Sequence, residues 1–388
     1  MKIHKFGWIY GVTGLFVATA VAASAALQPV AQNQSFKNEL QAALDRGFAW
    51  LKNNQNTNGS WSQPELPALT ALPLMALKGD PAGKYGANEP EWVARAYRFL
   101  LSNVKPDGGI YHTNYATYNT ALGMMALLAA NNPRYEPAIR AARRFLVGLQ
   151  TDFGEPGKLD TPLDGGIGYG NKYKHSDMGN TLAALEACYY SRHLVQDKDP
   201  NEKDLNYAAA IHFLQNCQNL PSHNKQEWVS DDPRDLGGFV YYPGHSMAGS
   251  RTNPATGKVS LRSYGSISYA GLLSYIYARL DKSDPRVKAV LDWLRNNYTL
   301  SENPGMGPEG LYFYYHTMSK ALSIAGVDVL ETGGGEKVEW RRQLAMKLLN
   351  AQKPDGSWVN ESNRWMEKDP VLVTCYALLS LEHIWRGL

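Results

Sequence analysis

The feature that most constrains the fold of this chain is a helix-forming segment that recurs six times along it. In the first copy, residues 43–55, aliphatic and aromatic side chains fall on one helical stripe. The later copies occupy residues 93–104, 138–150, 207–218, 286–298 and 340–352, and an aromatic residue followed by Leu marks all but the last. Repetition of this kind indicates one supersecondary unit stacked upon the next.

A glycine turn and then a second helix follow each of these segments. The turn glycines are Gly59, Gly108, Gly165, Gly237, Gly310 and Gly356. Glycine supplies the positive φ that ends a helix and reverses the chain. The second helices are rich in Ala and Leu and poor in charge, and they begin near Thr70, Thr120, Thr181, Ser268, Thr317 and Thr374. A helix that is apolar nearly all round is buried on several sides.

One amphipathic and one apolar helix, repeated six times, predict an all-α fold with an inner ring of helices wrapped by an outer ring. An open solenoid needs polar caps at both ends, and neither terminal unit is unusually polar. We therefore predict a closed α/α toroid of six helix pairs that forms a single domain over residues 36–388. Inserts at residues 221–235 and 243–262 lengthen only the fourth unit.

The first residues have the pattern of a targeting segment. Residues 1–5 are short and basic, residues 6–23 are uncharged and mostly apolar, and Ala23-Ser24-Ala25 offers a cleavage site. This order predicts a signal peptide over residues 1–25 and a polar spacer over residues 26–35. The protein is then exported, either periplasmic or secreted, and it meets a membrane only if the leader stays uncleaved as an anchor.

Composition and motifs exclude several classes of function. The 39 basic and 36 acidic residues give a net charge of +3 without a concentrated basic stretch, which argues against nucleic acid as a partner. The three cysteines form neither a Cys-x-x-Cys pair nor a disulfide framework. Phosphate-binding loops and nucleophile elbows are missing from the sequence. We expect neither a metal nor an organic cofactor, since ATP and nicotinamide cofactors are chiefly cytosolic.

The six units resemble the prenyltransferase/squalene oxidase repeat, shared by squalene and oxidosqualene cyclases and the β subunits of protein prenyltransferases. The first unit carries the whole pattern, and the third and sixth carry parts of it. The matching positions are Arg46, Gly47, Trp50, Leu51, Gln55, Gly59 and Trp61, then Arg140, Ala141, Phe145, Leu146 and Gln150, and finally Gln352, Gly356 and Trp358. The resemblance implies the toroid fold, with each Gln satisfying helix-end groups and each Trp packing on a neighbouring unit.

The catalytic signatures of both groups are altered in this chain. Class II cyclases protonate an alkene with the middle Asp of Asp-x-Asp-Asp-Thr, and the nearest match, residues 177–181, has Gly179 at that position. Protein prenyltransferases hold zinc with Asp-x-Cys and a His. Ser266 and Ser268 stand at the first two ligand positions, although His316 matches the third. We therefore expect neither squalene cyclisation nor a zinc site.

Residues just before or within the first turns of the inner helices are the candidate site residues. Asp177 forms an acid/base pair if it converges with His175 or His316. The ligand-binding candidates are Tyr115, Tyr118, Asn119, Asn180, Tyr264, Ser266, Tyr315 and Asp369. Tyrosines with a few polar groups are typical of an amphipathic pocket. The alternative is that the tyrosines plug the ring and the polar groups cap helices.

The resemblance and these residues favour a protein that binds or transforms an isoprenoid or other apolar small molecule in a central cavity. Two alternatives stay open. One is a non-catalytic exported scaffold with a protein partner, which would use the ring surface and the insert around residues 251–258. The other is a carbohydrate-active enzyme, which needs facing carboxylates. Asp177 and Asp369 are the only acidic pair that the sequence suggests for the mouth of the ring.

Overall fold

The structure, a computed structural model, describes residues 13–86, 89–170, 175–195 and 203–388, with side chains from residue 33 onward. Twelve α-helices account for most of this part of the chain. They are α1 (Thr13–Asn53), α2 (Ala68–Gly79), α3 (Glu91–Ser102), α4 (Ala116–Ala129), α5 (Glu136–Val147), α6 (Met178–Tyr190), α7 (Tyr207–Asn216), α8 (Gly265–Tyr277), α9 (Pro285–Asn296), α10 (Leu311–Ala325), α11 (Trp340–Ala351) and α12 (Pro370–Arg386). Short 3₁₀ segments lie at Pro133–Tyr135, Arg192–Leu194 and Arg364–Met366.

The even-numbered helices form an inner ring, and the odd-numbered helices wrap around it. Each inner helix packs against the next, from α2 through α4, α6, α8 and α10 to α12, and α12 packs back against α2. The outer layer closes as well, because α1 contacts both α11 and α12. The predicted all-α toroid of six helix pairs is therefore confirmed, and the ring is closed.

The two helix types differ in burial as their sequences predict. Nearly every residue of the inner helix α8 is buried. The outer helix α3 buries one stripe, formed by Val93, Ala96, Tyr97 and Leu100, and exposes its charged face. The spacing of that stripe is the one that brings side chains to a single helical face.

A glutamine at the end of an outer helix joins each of four units to the next. The Gln55 amide donates to the Gly59 carbonyl (3.0 Å) and to the Trp92 carbonyl at the start of α3 (2.8 Å). Gln150 and Gln218 make the same two kinds of bond. Gln352 donates to its own turn and to the Ala43 carbonyl of α1 (2.9 Å). The sixth unit is thus joined to the first as neighbours are joined elsewhere, although Ala43 lies within α1, so the bond joins units rather than satisfying a free helix end as predicted.

The turn glycines and the repeat tryptophans pack units closely together. Gly165 has φ +82°, and a Cβ there would collide with the Ala209 carbonyl of the next outer helix. Only glycine meets both demands without strain. The Trp61 indole donates to the Leu51 carbonyl (2.7 Å), and its ring lies 6.2 Å from that of Trp92 in the next unit. The predicted packing of the tryptophan on a neighbouring unit is confirmed.

A hydroxyl on the inner helix holds the strand-like residue that follows the glycine turn. The backbone amides of Ile110 and Ile167 donate to Thr120 and Thr181, both at 2.9 Å. Phe239 donates to Ser268 at 3.0 Å in the same way. These bonds satisfy buried amides and fix each inner helix relative to its own turn.

Two small antiparallel hairpins lie in connections between helices of the ring. One pairs β1 (Ser250–Thr252) with β2 (Val259–Leu261) inside the second insert of the fourth unit, and the other pairs β3 (Leu330–Glu331) with β4 (Lys337–Val338). Within the first hairpin, Arg251 contacts Asp235 (3.2 Å) and Lys258 donates to the Val229 carbonyl (2.7 Å). The cations of the insert are therefore bound to the protein's own surface.

The predicted leader lies partly outside the described residues, which begin at residue 13. From Thr13 the backbone of α1 is helical without a break to Asn53, so it also passes through residues 26–35. The signal peptide, the spacer and the domain boundary at residue 36 stay predictions. Within the part of the chain that the structure describes, no helix has both the length and the apolar content to cross a membrane.

Candidate functional site

Outer and inner helices alternate along the chain, joined by connections that are longest before α6 and α8, and in such an alternating ring the inner helices begin at one face. We call this face the mouth. We expected the candidate residues to line one common cavity there. The structure instead distributes them among a cluster around Asp177, the axis of the ring, a surface pocket and several helix caps.

Asp177 lies at the start of α6 and is fully buried. Its Oδ1 accepts the Asn180 backbone amide (2.9 Å), and its Oδ2 accepts the Asn180 side-chain amide (2.7 Å). Burial raises the pKa of Asp177 to about 6, although Asn180, His175 and the Tyr241 hydroxyl all oppose the rise. A carboxyl group with such a pKa exchanges protons close to neutral pH, which suits acid–base chemistry.

An aromatic rim, formed by Tyr115, Tyr169, Tyr241, Tyr242 and His175, surrounds Asp177 at the mouth. The Tyr169 and Tyr241 hydroxyls are 2.8 Å apart, and the ring centroids of Tyr115 and Tyr169 are separated by 5.5 Å. The imidazole of His175 stacks on Tyr242 at 4.4 Å. All five side chains are partly exposed, so the rim presents aromatic faces and hydroxyls to a ligand.

The surroundings of Asp177 include an open position and an unpaired polar atom. A Cβ at Gly179 would have only one neighbour within 4 Å, the Asp177 Oδ1 at 3.4 Å. The Asn180 Oδ1 is buried and has no hydrogen-bond partner within the described structure. Tyr264, which precedes α8, is buried, and burial followed by the charge of Asp177 raises the pKa of its hydroxyl. The cluster therefore combines a proton-exchanging acid with neutral hydroxyl groups.

Two contacts join inner helices that are not adjacent in the ring. The Tyr118 hydroxyl of α4 lies 3.3 Å from the Tyr376 hydroxyl of α12. Lys320 of α10 forms a buried ion pair with Glu186 of α6. These contacts support the plug alternative for Tyr118.

His316 lies among the axial residues and not beside Asp177. Its imidazole stacks on Tyr376 (5.4 Å between centroids) and has His383 as a further neighbour. Burial, Lys320 and His383 lower the pKa of His316 well below its usual value, so the side chain is neutral. The convergence of His316 with Asp177 is not observed. Of the two histidines, His175 is the one that interacts with Asp177.

Three candidate residues are occupied by structural hydrogen bonds. Asn119 accepts the Ala68 amide at the start of α2 (2.9 Å). Ser266 pairs with the side chain of Asn303 through its own amide (2.8 Å) and hydroxyl (3.1 Å). Tyr315 is buried and donates to the Leu300 carbonyl (2.6 Å). The helix-cap alternative describes these residues better than a binding role.

Asp369 lies in a separate surface pocket of about 610 Å³, between the first and sixth units. We call it the seam pocket. Its carboxylate accepts the Val371 amide at the start of α12 (2.8 Å) and also contacts Ser62 of the first unit. Since α6 and α12 are opposite members of a six-helix ring, their axes are about 16–20 Å apart, given about 8–10 Å between packed neighbours. Asp177 and Asp369 therefore do not form the pair that glycoside hydrolysis requires.

The sequence analysis missed Tyr169 and Tyr241, which connect Asp177 to the surface. Each follows its turn glycine, Gly165 or Gly237, by four residues. This shared offset is the signal that could have found them, because equivalent positions in successive units lie side by side. Within the described residues, no group of three His, Cys, Asp or Glu side chains is arranged to hold a metal ion.

This closed double ring of helices has the squalene cyclase-like α/α toroid fold. It is similar to solved structures of the type II terpene cyclase MstE from Scytonema. One of them, a variant bound to its substrate geranylgeranyl dihydroxybenzoate, has a TM-score of 0.55 and 14% identity, and the match covers 92% of this chain and 100% of that one. Unliganded MstE matches with a TM-score of 0.53. At this identity the likeness establishes the fold.

A curated relative resembles part of the chain in sequence. Lanosterol synthase erg7A from Aspergillus fumigatus is 28% identical over 131 residues. The match covers 30% of this chain and only 17% of that protein, so the chain matches well under a quarter of the relative's length. No protein-family model matches the chain.

Proposed function

We propose that this protein binds an isoprenoid-type molecule with a polar head group at the mouth of the ring, and that Asp177 orients the head group through the Tyr241 hydroxyl. The observation that carries the proposal is a buried carboxyl group, with its pKa raised to about 6, beneath a partly exposed aromatic rim. Aromatic faces suit the apolar body of such a ligand, and a few convergent polar groups fix its orientation. The fold shared with terpene cyclases supports the same ligand class.

The Tyr241 hydroxyl is the link between Asp177 and the ligand. It interacts with Asp177 and lies 2.8 Å from the Tyr169 hydroxyl. Burial, followed by the charge of Asp177, raises the pKa of Tyr241 far above the physiological range, so the hydroxyl keeps its proton and can both donate and accept hydrogen bonds. A ligand hydroxyl or carboxyl group at Tyr169 therefore exchanges hydrogen bonds with Asp177 through Tyr241.

Binding, with proton exchange at a polar group, is the activity that we assign rather than cyclisation of an alkene. Alkene protonation needs a strong acid, and Gly179 replaces the donor of the cyclase motif. A raised pKa makes Asp177 a weaker acid, not the strong acid that an alkene requires. Incubation of the protein with squalene, followed by product analysis, tests this point. A cyclised product would refute it.

Calorimetric titration with geranylgeranyl dihydroxybenzoate tests the binding proposal. The compound, a ligand of MstE, joins a polyprenyl chain to a polar ring. We expect saturable binding to the wild type and at least tenfold weaker binding to Tyr241→Phe. Tyr111→Phe is the matched control, because that hydroxyl bonds to Asp107 (2.7 Å) away from the rim. No binding, or equal affinity for Tyr241→Phe and wild type, would overturn the proposal.

We also propose that residues 1–25 direct export and are then removed. The basic start, the apolar stretch and the Ala23-Ser24-Ala25 site support this proposal. The test is expression of the full chain in a bacterial host, followed by fractionation and amino-terminal sequencing. We expect an exported protein that begins at residue 26. A full-length protein confined to the cytoplasm would contradict the proposal.

A further inference from the structure

The seam pocket is a second concave site, away from Asp177. The turn of the first unit forms one wall, and the loop before α12 forms the other. Its volume of about 610 Å³ is within the range of small-molecule sites. Nothing in the proposed function uses it, because α12 is opposite α6 in the ring.

The pocket is held in a fixed shape. Ser62 and Asp369 bond across it and join its two walls. Ser62 and Met366 both have positive φ, +51° and +64°, a strained backbone that persists only when its surroundings hold it. Buried Glu367 provides such support, since it accepts the Phe313 amide of α10 (2.8 Å) and the Asn360 side chain (2.6 Å). Because the walls are already held in place, binding a ligand requires little loss of conformational entropy from the protein.

The chemistry of the lining points to a neutral, polyhydroxylated ligand. Trp50 is partly exposed at the pocket, and its side chain interacts with Asp355. Amide side chains surround it, and those of Gln63 and Asn363 are exposed and make no hydrogen bond within the described structure. Amides offer donors and acceptors together, which is what sugar hydroxyls need.

Other ligand classes fit this lining less well. One cation, Lys368, lies beside one carboxylate, Asp369, so the pocket lacks the concentrated positive charge that a phosphate requires. Its apolar side chains other than Trp50 are Met366, Pro370 and Val371, too few to enclose a polyprenyl chain. We infer that the seam pocket binds a short neutral oligosaccharide, with one sugar ring stacked on Trp50 and the hydroxyls bonded to the amides.

The inference is tested by calorimetry of the intact protein with cellohexaose, mannohexaose, xylohexaose and chitohexaose. We expect at least one of them to bind with one-to-one stoichiometry. The Gln63→Ala/Asn363→Ala double variant, which removes exposed side chains and leaves the fold intact, should weaken that binding at least tenfold. Trp50→Ala should abolish it, and circular dichroism checks whether that variant folds.

Two controls separate this site from the mouth. Glu361→Ala changes an exposed residue of the same loop outside the pocket, and Tyr241→Phe changes the aromatic rim. Both should leave oligosaccharide affinity within about twofold of wild type. Failure of all four sugars to bind at 5 mM, or full affinity in the double variant, would overturn the inference. Loss of binding in Tyr241→Phe would also overturn it, by placing the sugar at the mouth.

Discussion

Substitution of Gln352 tests whether the ring is closed in solution. Its amide makes two bonds, to the Gly356 carbonyl of its own turn and to the Ala43 carbonyl of the first unit. A typical internal hydrogen bond contributes about 1 kcal/mol net, so Gln352→Ala should cost about 2 kcal/mol. The bonds that Arg46 donates to the same side chain are exposed and add little.

Gln55→Ala is the matched comparison, because Gln55 makes the same two kinds of donor bond inside the ring, to Gly59 and Trp92, and its Oε1 likewise accepts from an arginine, Arg95. In a closed ring the two variants should lose similar free energies of unfolding. In an open solenoid the last unit has no following unit, so Gln352 would keep only the bond to its own turn. Its substitution would then cost about half as much, or less.

Guanidinium unfolding followed by circular dichroism at 222 nm measures the difference. With an m-value on the order of 5 kcal/mol/M for a domain of this size, 2 kcal/mol lowers the midpoint by about 0.4 M. We expect this shift in both variants and no shift in Gln63→Ala, whose side chain is exposed. A shift below about 0.1 M for Gln352→Ala, beside about 0.4 M for Gln55→Ala, would refute closure through this contact.

Three further predictions concern stability. In guanidinium unfolding, Gly165→Ala should lower the free energy of unfolding by more than about 3 kcal/mol. Gly157→Ala should lower it by only about 1 kcal/mol, because Gly157 has the same φ of +82° but no atom within 4 Å of the new Cβ. Because burial raises the pKa of Asp177, the stability that its protonated form contributes below pH 4 is lost as the pH rises through about 6. The free energy of unfolding of wild type should therefore fall by up to about 3 kcal/mol relative to Asp177→Asn between pH 4 and pH 7. Parallel pH profiles of the two proteins would contradict this. Lys320→Met should lower the free energy of unfolding by about 3–5 kcal/mol, because it leaves Glu186 buried without its partner. Adding Glu186→Gln should restore most of that free energy. Equal stability of the single and double variants would exclude this explanation.

The fold could be predicted from the sequence because all six units carry the same pattern of one amphipathic helix, a glycine turn and one apolar helix. The amphipathic and apolar helices lie where their patterns indicate, and Gln55 and Trp61 make the contacts that the repeat resemblance implies. These features are local or depend on the adjacent unit. A sixfold repetition therefore confirms each of them several times over.

The candidate site was predicted less well, because it depends on the direction of each side chain around the ring. The sequence positions of Asn119 and Tyr315 predict that they lie near the mouth. In the structure, Asn119 caps the start of α2 and Tyr315 bonds to the carbonyl of Leu300 in a loop. His316 faces the axis from a helix two positions away from α6. Sequence spacing identifies the end of the helix at which a residue lies, and only packing decides which neighbour it faces.

The contacts that close the ring place the two ends of the toroid side by side. The Lys37 ammonium group lies 4.5 Å from the ring centroid of Trp385, near the last residue of α12. Circular permutation follows from this arrangement: a chain in which a short peptide joins residue 388 to residue 36, with new ends cut in the exposed connection at residues 281–283, should fold to the same ring. The chain could then begin at any of the six units, because the architecture depends only on which unit follows which around the ring.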